Sequence, residues 1–240
     1  ELVVVLTPPG AHLPVAEQVA RAGRHLLVEK PLELTATRAT ALVQVAARAG
    51  VALGIVFQHR FRPAALRLKQ AVAAGELGTL LSCSAAIRWW RDAAYYAQPG
   101  RGMKARDGGG VLLTQAIHTL DLLLHLAGPV AQVAGFARNA GLRATDTEDI
   151  AAAALRFPER IELAGTGGSA VLVAERLELH LKGRPVEVLD RGLAGGGGAD
   201  PMAFDHGPHR AMLAEMLDAI AAGRAPSNAG ATGLPVLHLI

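Results

Sequence analysis

Apolar residues follow two rhythms along this chain. In the first, Leu2-Val3-Val4-Val5-Leu6, Leu26-Leu27-Val28 and residues 51–57 form short, nearly unbroken runs. Strands of a parallel sheet read this way because helices cover both faces. Between the runs the spacing is helical. Val15, Val19 and Ala22 share one face of a helix over 12–22, and a second helix spans about 35–49. Gly23 and Gly50 end them, since glycine tolerates the left-handed turn past a helix. The order β-α-β-α-β implies parallel strands joined by right-handed crossovers, an α/β layout.

Past Phe57 the second rhythm begins. A helix over about 64–74 stops at Gly75 and Gly78, and then residues 80–90, 130–137, 150–157, 160–166 and 176–181 alternate as strands with one wet face do. Short connections between such strands predict an open, mostly antiparallel sheet. Residues 111–126 and 209–222 read as helices, and 195–198 as a flexible loop. The expected fold class is α/β: the second half of a doubly wound, Rossmann-like parallel sheet, followed by an α+β domain. This divides the chain into 1–58, the C-terminal part of a dinucleotide-binding domain, and 59–240, a substrate-binding and oligomerisation domain. Glu1 opens directly on a strand and residues 235–240 stay apolar to the last. Cuts through secondary structure are therefore expected at both ends, native termini being solvated as a rule.

Composition narrows the classes. With 240 residues, 51% of them hydrophobic, there is ample material for a core. The net charge is +3, but Lys and Arg are scattered without a run, which argues against a nucleic-acid partner. A single cysteine, Cys83, excludes an internal disulfide and a multi-cysteine metal site, and fits a reducing, cytoplasmic compartment. No apolar run was expected to approach the roughly 20 residues that span a bilayer.

Chemistry concentrates at two places. Glu29-Lys30-Pro31 follows the apolar run 26–28, at the carboxyl end of a strand, where α/β sheets bind ligands. An amine in a partly desolvated cleft loses proton affinity and can trade protons with a substrate hydroxyl; the plain alternative is a surface ion pair. Pro31 is a candidate cis proline. Farther on, Gly108-Gly109-Gly110 precedes a helix on which Thr114, His118, Asp121 and His125 share one face. His118 is the natural acid or base, against the alternative of histidines that merely satisfy core hydrogen bonds. A zinc site from His118, Asp121 and His125 lacks any HExxH-like pattern, so no metal is expected. Trp89, Trp90, Tyr95 and Tyr96 crowd into eight positions and suit a sugar-binding wall, although strand alternation would send Trp89 and Trp90 to opposite faces. His206 and His209 read as the start of a helix, and Arg60 and Arg88 as candidates for a phosphate or carboxylate contact.

Several of these segments, in order, resemble the Gfo/Idh/MocA family of NAD(P)-dependent oxidoreductases. They are Thr7-Pro8-Pro9-Gly10-Ala11-His12, Gly23 through Pro31, Gln58-His59-Arg60-Phe61, Gly108-Gly109-Gly110 with Gln115-Ala116-Ile117-His118-Thr119-Leu120-Asp121, and Ala219 through Pro226. The resemblance implies a substrate bound between the two domains over the nicotinamide of NAD or NADP. Lys30 matches the family's proton-shuttling lysine and His118 the histidine after the glycine triplet, while Thr7, Pro8, His12, Glu29 and Pro31 match positions near the cofactor. Trp90, Tyr96, Thr114, Gln115 and Asp121 are the expected substrate contacts, Thr114 standing where many polyol dehydrogenases of the family carry aspartate. The glycine-rich phosphate turn is expected upstream of Glu1, so the isolated stretch is expected to bind dinucleotide poorly. The implied reaction is hydride transfer with a secondary alcohol of a sugar, polyol or nucleotide-linked sugar. The alternatives are an epimerase or glycosidase using the cofactor transiently, or a non-enzymatic sensor. Association through the open sheet is expected, with neither nucleic acid nor membrane as partner.

Overall fold

The computed structural model describes residues 1–141, 144–156, 164–173, 176–190 and 205–240. The first unit alternates β1 (Leu2–Val5), α1 (His12–Arg21), β2 (His25–Val28), α2 (Ala36–Ala49) and β3 (Leu53–Ile55). The strands pair in parallel in the order β1-β2-β3, with Val3 beside Leu26 and Leu26 beside Leu53. Thr35 caps α2, its hydroxyl accepting the Arg38 N–H, and Gly50 closes it with φ +65°. Leu26 and Val28 point into a core with Ala16, Ala39, Leu42 and Ile55. Leu27, between them, faces the other way, against Met212 of α7 (Gly207–Ala221). Both faces of β2 are thus covered, as its unbroken apolar run predicts.

The second unit holds α3 (Pro63–Ala73), β4 (Leu80–Ser82), α4 (Ala93–Tyr96), α5 (Lys104–Asp107), α6 (Ile117–Ala127), β5 (Gln132–Arg138), β6 (Ile150–Arg156), β7 (Ala164–Gly165), β8 (Gly168–Val173), β9 (Arg176–Leu181) and β10 (Glu187–Asp190). One antiparallel sheet runs β10-β9-β8-β7-β4, and β5 pairs separately with β6. Three expectations change here. The strand expected over 80–90 stops at Ser82, and 83–92 runs without regular structure. The strand expected over 160–166 is described only at Ala164–Gly165; its earlier part, like the loop expected at 195–198, lies outside the described residues. β8 and β10 were not foreseen, one opening on glycine and the other too short for alternation to register.

α6 joins the two units. Leu113, leading into it, and Ile117, its first residue, pack in the first core, whereas Leu122 and Leu126 pack with Leu68 of α3 and Leu177 and Leu179 of β9 in the second. By length and composition the helical run Lys104–Ala127 could cross a membrane, contrary to expectation, but these apolar side chains are buried inside the protein.

The last part of the chain crosses the expected division at 58/59 in space. β3 would leave an open sheet edge, and the last part of the chain covers it. Asn228 accepts the Ile55 N–H on its carbonyl and donates its side-chain amide to the Ile55 carbonyl, both at 2.9 Å. α8 (Leu234–Leu239) then inserts Val236 and Leu237 into the first core, a burial worth roughly 1.5–3 kcal/mol per side chain.

Candidate active site

β2 leads into Glu29 and Lys30, and the Lys30–Pro31 peptide is cis. Glu29 folds back on the backbone, its carboxylate accepting the Lys30 N–H at 2.8 Å. The Lys30 amine reaches across to the second unit and donates to the Thr114 carbonyl at 2.7 Å. Burial holds this amine below its ordinary 10.5 because an ammonium is poorly solvated there. Glu29 pulls it back up, Arg101 and Arg91 push it down again, and Asp107 opposes them.

Thr114 sits in a π-helical turn, Leu112–Ala116, between the glycine triplet and α6. Single turns of this kind recur at functional sites. Glu148 fixes where it starts. Its carboxylate accepts the N–H groups of Gly110 at 2.8 Å and Leu112 at 3.1 Å, and its carbonyl accepts that of Val111 at 2.8 Å. A Cβ on Gly110 would stand 1.8 Å from the Glu148 carbonyl oxygen, so the triplet's last position admits only glycine.

One turn past Thr114, His118 is buried between Phe57, edge-on at 6.2 Å, and the parallel ring of His59 at 4.7 Å. Its Nδ1 is buried and makes no hydrogen bond among the described residues. Burial first, then the Lys30 charge, then His59, Arg62 and His209, hold His118 well below 6.5, and burial lowers His59 to about 3. Both rings are therefore neutral at pH 7. An imidazole nitrogen without a partner, beside a weakened amine, is the arrangement that a substrate hydroxyl would complete.

The other expected residues divide. Thr7 and Pro8 are exposed at the carboxyl end of β1, and Glu29 and Pro31 occupy the corresponding end of β2. His12 is fully buried behind them, its Nε2 2.8 Å from the Thr7 carbonyl and its Nδ1 3.1 Å from that of Leu32, so it braces both loops. A narrow cleft is lined by Thr114, Tyr95, Tyr96, Arg101, Asp107 and Glu148, among others. Gln115 is buried and Trp90 is 71% exposed, and neither belongs to this lining. The opposite facing expected of Trp89 and Trp90 rested on strand alternation, and no strand runs there. Asp121 also departs from its expected role. Arg60 grips both its oxygens, with Nε to Oδ2 at 2.8 Å, and binds the Thr232 hydroxyl at 2.9 Å. The pair is buried, and it answers the carboxylate contact expected of Arg60 with an internal partner; burial pushes the Asp121 carboxyl up to about 6. Among the described residues no group of three His, Cys, Asp or Glu is placed to hold a metal.

Sequence reasoning passed over His59, Arg62, Arg91, Arg101 and Glu148. His59 lies in the quoted Gln58-His59-Arg60-Phe61 segment just past β3, a position that could have flagged it. His209, read as helix start, does begin α7 but also acts electrostatically on His118 and His59.

Both parts of the chain match family profiles: residues 1–57 the oxidoreductase family with an NAD-binding Rossmann fold, and residues 65–184 the GFO/IDH/MocA C-terminal domain. The scyllo-inositol 2-dehydrogenase (NAD(+)) of Bacillus subtilis strain 168 is 29% identical over 139 residues, which are 58% of this chain and 39% of that enzyme. The matched stretch is thus under half of that relative's length. The WlbA dehydrogenase from Bordetella pertussis, solved with NADH and UDP-GlcNAcA, is 25% identical at a TM-score of 0.80, over 99% of this chain and 74% of that one. Levoglucosan dehydrogenase, solved with NADH and levoglucosan, shares the fold at a TM-score of 0.82 and 24% identity, over 100% of this chain and 76% of that one. With both domain types matched in sequence and in the order the structure shows, the chain belongs to the Gfo/Idh/MocA family of NAD-binding oxidoreductases.

Proposed function

We propose that this chain carries the proton-transfer machinery of a dehydrogenase acting on a secondary alcohol of a sugar, polyol or nucleotide-linked sugar. The observation that supports it most is the Lys30 amine, buried and weakened, held on the carbonyl one turn from a neutral His118 whose Nδ1 lacks a partner. The nicotinamide supplies the hydride acceptor when bound. The residues present fit it: Thr7 and Pro8 at the end of β1, with Glu29 and Pro31 at the end of β2, form the strand-end rim where such a group rests.

In this reading Lys30 takes the proton of the substrate hydroxyl while His118 hydrogen-bonds the same oxygen and orients it. Only the neutral amine can accept a proton, so oxidation rises with pH through the Lys30 pKa; burial moves that limb toward working pH. The relatives support the substrate class by what they act on, an inositol in one and levoglucosan in another. Turnover of a sugar and polyol panel by wild type and Lys30→Met, both in full-length context with the nicotinamide cofactor, tests the assignment. The variant is expected to lose about 10²–10⁴-fold in kcat. Retained turnover removes Lys30 from the reaction.

Association of two copies belongs to the same proposal. Val133 and Phe136 on β5 and Ile150 on β6 are exposed, as are Val171 and Val173 on β8 and Val188 on β10. Exposed apolar faces of this kind mark interfaces. A cytoplasmic setting is also proposed, supported by the single cysteine.

A further inference from the structure

Proton transfer through Lys30 and His118 leaves one buried neighbour, His59, without a role. His59 belongs to the short helical turn Gln58–Phe61, which follows β3 and packs against α3, α6 and α7. Its ring lies over that of His118, with centroids 4.7 Å apart and planes 29° apart. Phe57, just before the turn, meets the same imidazole edge-on at 6.2 Å. A flat ring laid on another excludes water from the face it covers, and a second ring set at a steep angle limits how far the first pair can rotate.

The turn is also tied down on either side of His59. Phe57 is fully buried in the first core. Arg60 grips Asp121, which lies three residues past His118 and so on the same face of α6. The Arg60 guanidinium lies 5.4 Å from the Phe57 centroid as well, and it donates to the Thr232 hydroxyl at 2.9 Å and the Thr232 carbonyl at 3.2 Å. With both flanking residues anchored, the backbone sets the place of the His59 ring, and the turn holds α6 at His118 and Asp121 together.

We propose that His59 is a positioning residue for His118: its ring covers one face of the His118 imidazole, keeping that ring dry and its Nδ1 turned to receive the substrate hydroxyl. This rests on the dehydrogenase reading and adds to it a residue that acts only through His118. The charges that bear on His118 are Lys30 past β2, His59 and Arg62 at the turn and His209 of α7, while Asp121 on its own helix is engaged by Arg60. Burial outweighs these charges in lowering the proton affinity of His118. Opening one face to water weakens that largest cause, so the loss of the His59 ring raises His118 toward 6.5.

NMR titration of the histidine ring carbons in the 240-residue chain tests this, the His118 signal being identified by its loss in His118→Asn. In wild type, His118 is expected to stay neutral from about pH 8 down to about 5.5. His59→Ala is expected to bring its midpoint inside that window, and His59→Phe, which keeps a flat cover and loses the nitrogens, to keep it outside. In full-length context with the nicotinamide cofactor, His59→Ala should lower kcat about tenfold or more at pH 7, and His59→Phe should restore most of it. A His118 that titrates normally in wild type, that stays neutral in His59→Ala, or that responds to Phe as it does to Ala overturns the inference; lower stability in His59→Ala with an unchanged His118 titration makes His59 a packing residue alone. Should His59→Ala fail to fold by circular dichroism, His59→Gln, bulkier but unable to lie as a plane, carries the same expectation, and an unmoved His118 contradicts the proposal. The titration needs neither substrate nor cofactor, so its failure leaves the Lys30 chemistry standing, whereas retained turnover in Lys30→Met sinks that chemistry without altering the titration of His118.

Discussion

Lys30 and His118 were both legible because each depends on a local rule. A charged residue directly after an apolar strand must emerge at the sheet's carboxyl edge, and residues four apart on a helix share a face. Asp121 shows where such rules stop. It does share the face of His118, but its partner Arg60 is 61 positions away, and helical spacing carries no information about a residue that distant. The facing expected of Trp89 and Trp90 failed for the related reason that alternation assigns faces only where a strand exists, and none runs there. The Arg60–Asp121 pair yields a sharp expectation. Removing one partner strands a buried charge, so Asp121→Ala should lower unfolding free energy by about 3–5 kcal/mol in urea denaturation. The double variant Arg60→Met with Asp121→Leu should recover most of the loss. An Asp121→Ala variant as stable as wild type would show that the pair is not a buried brace.

At the scale of elements, the decisive piece is the run from the glycine triplet through α6. One side of α6, with Ile117, Leu120 and Leu124, serves the first core and another, with Leu122 and Leu126, the second, so the Thr114 carbonyl and the His118 ring arrive together opposite β2. The helix was foreseen, but the π-helical turn was not, since an extra residue in one turn leaves the apolar spacing nearly unchanged. Glu148, 38 positions from Gly110, sets that turn and carried no sequence signal of its own. Gly110→Ala places a methyl against the Glu148 carbonyl and should cost about 1–3 kcal/mol by thermal or chemical denaturation, with a larger proportional loss of turnover than of stability because Thr114 shifts with it. Unchanged stability would mean that the loop around Glu148 gives way freely.

At the scale of the whole molecule, the α/β then α+β succession was readable from the change of rhythm near Phe57. The return of 228–240 to the edge of β3 was not, since an apolar tail does not announce which sheet it will cover. The exposed face formed by β5 and β6 is the part of the surface with most to gain from a partner. Light scattering at micromolar concentration should report a dimer or larger, and Phe136→Glu should shift it toward monomer. A wild-type chain that is purely monomeric would exclude association through that face.

The account stands on the protonation behaviour of one amine, and the chain is well suited to observing it, with only four lysines, at 30, 69, 104 and 182. Lysine-selective NMR titration, assigned by the signal lost in Lys30→Met, measures it directly. The Lys30 resonance is expected to titrate clearly below 10.5. A Lys30 signal that titrates at or above 10.5 would place the amine in water and contradict its role as the base.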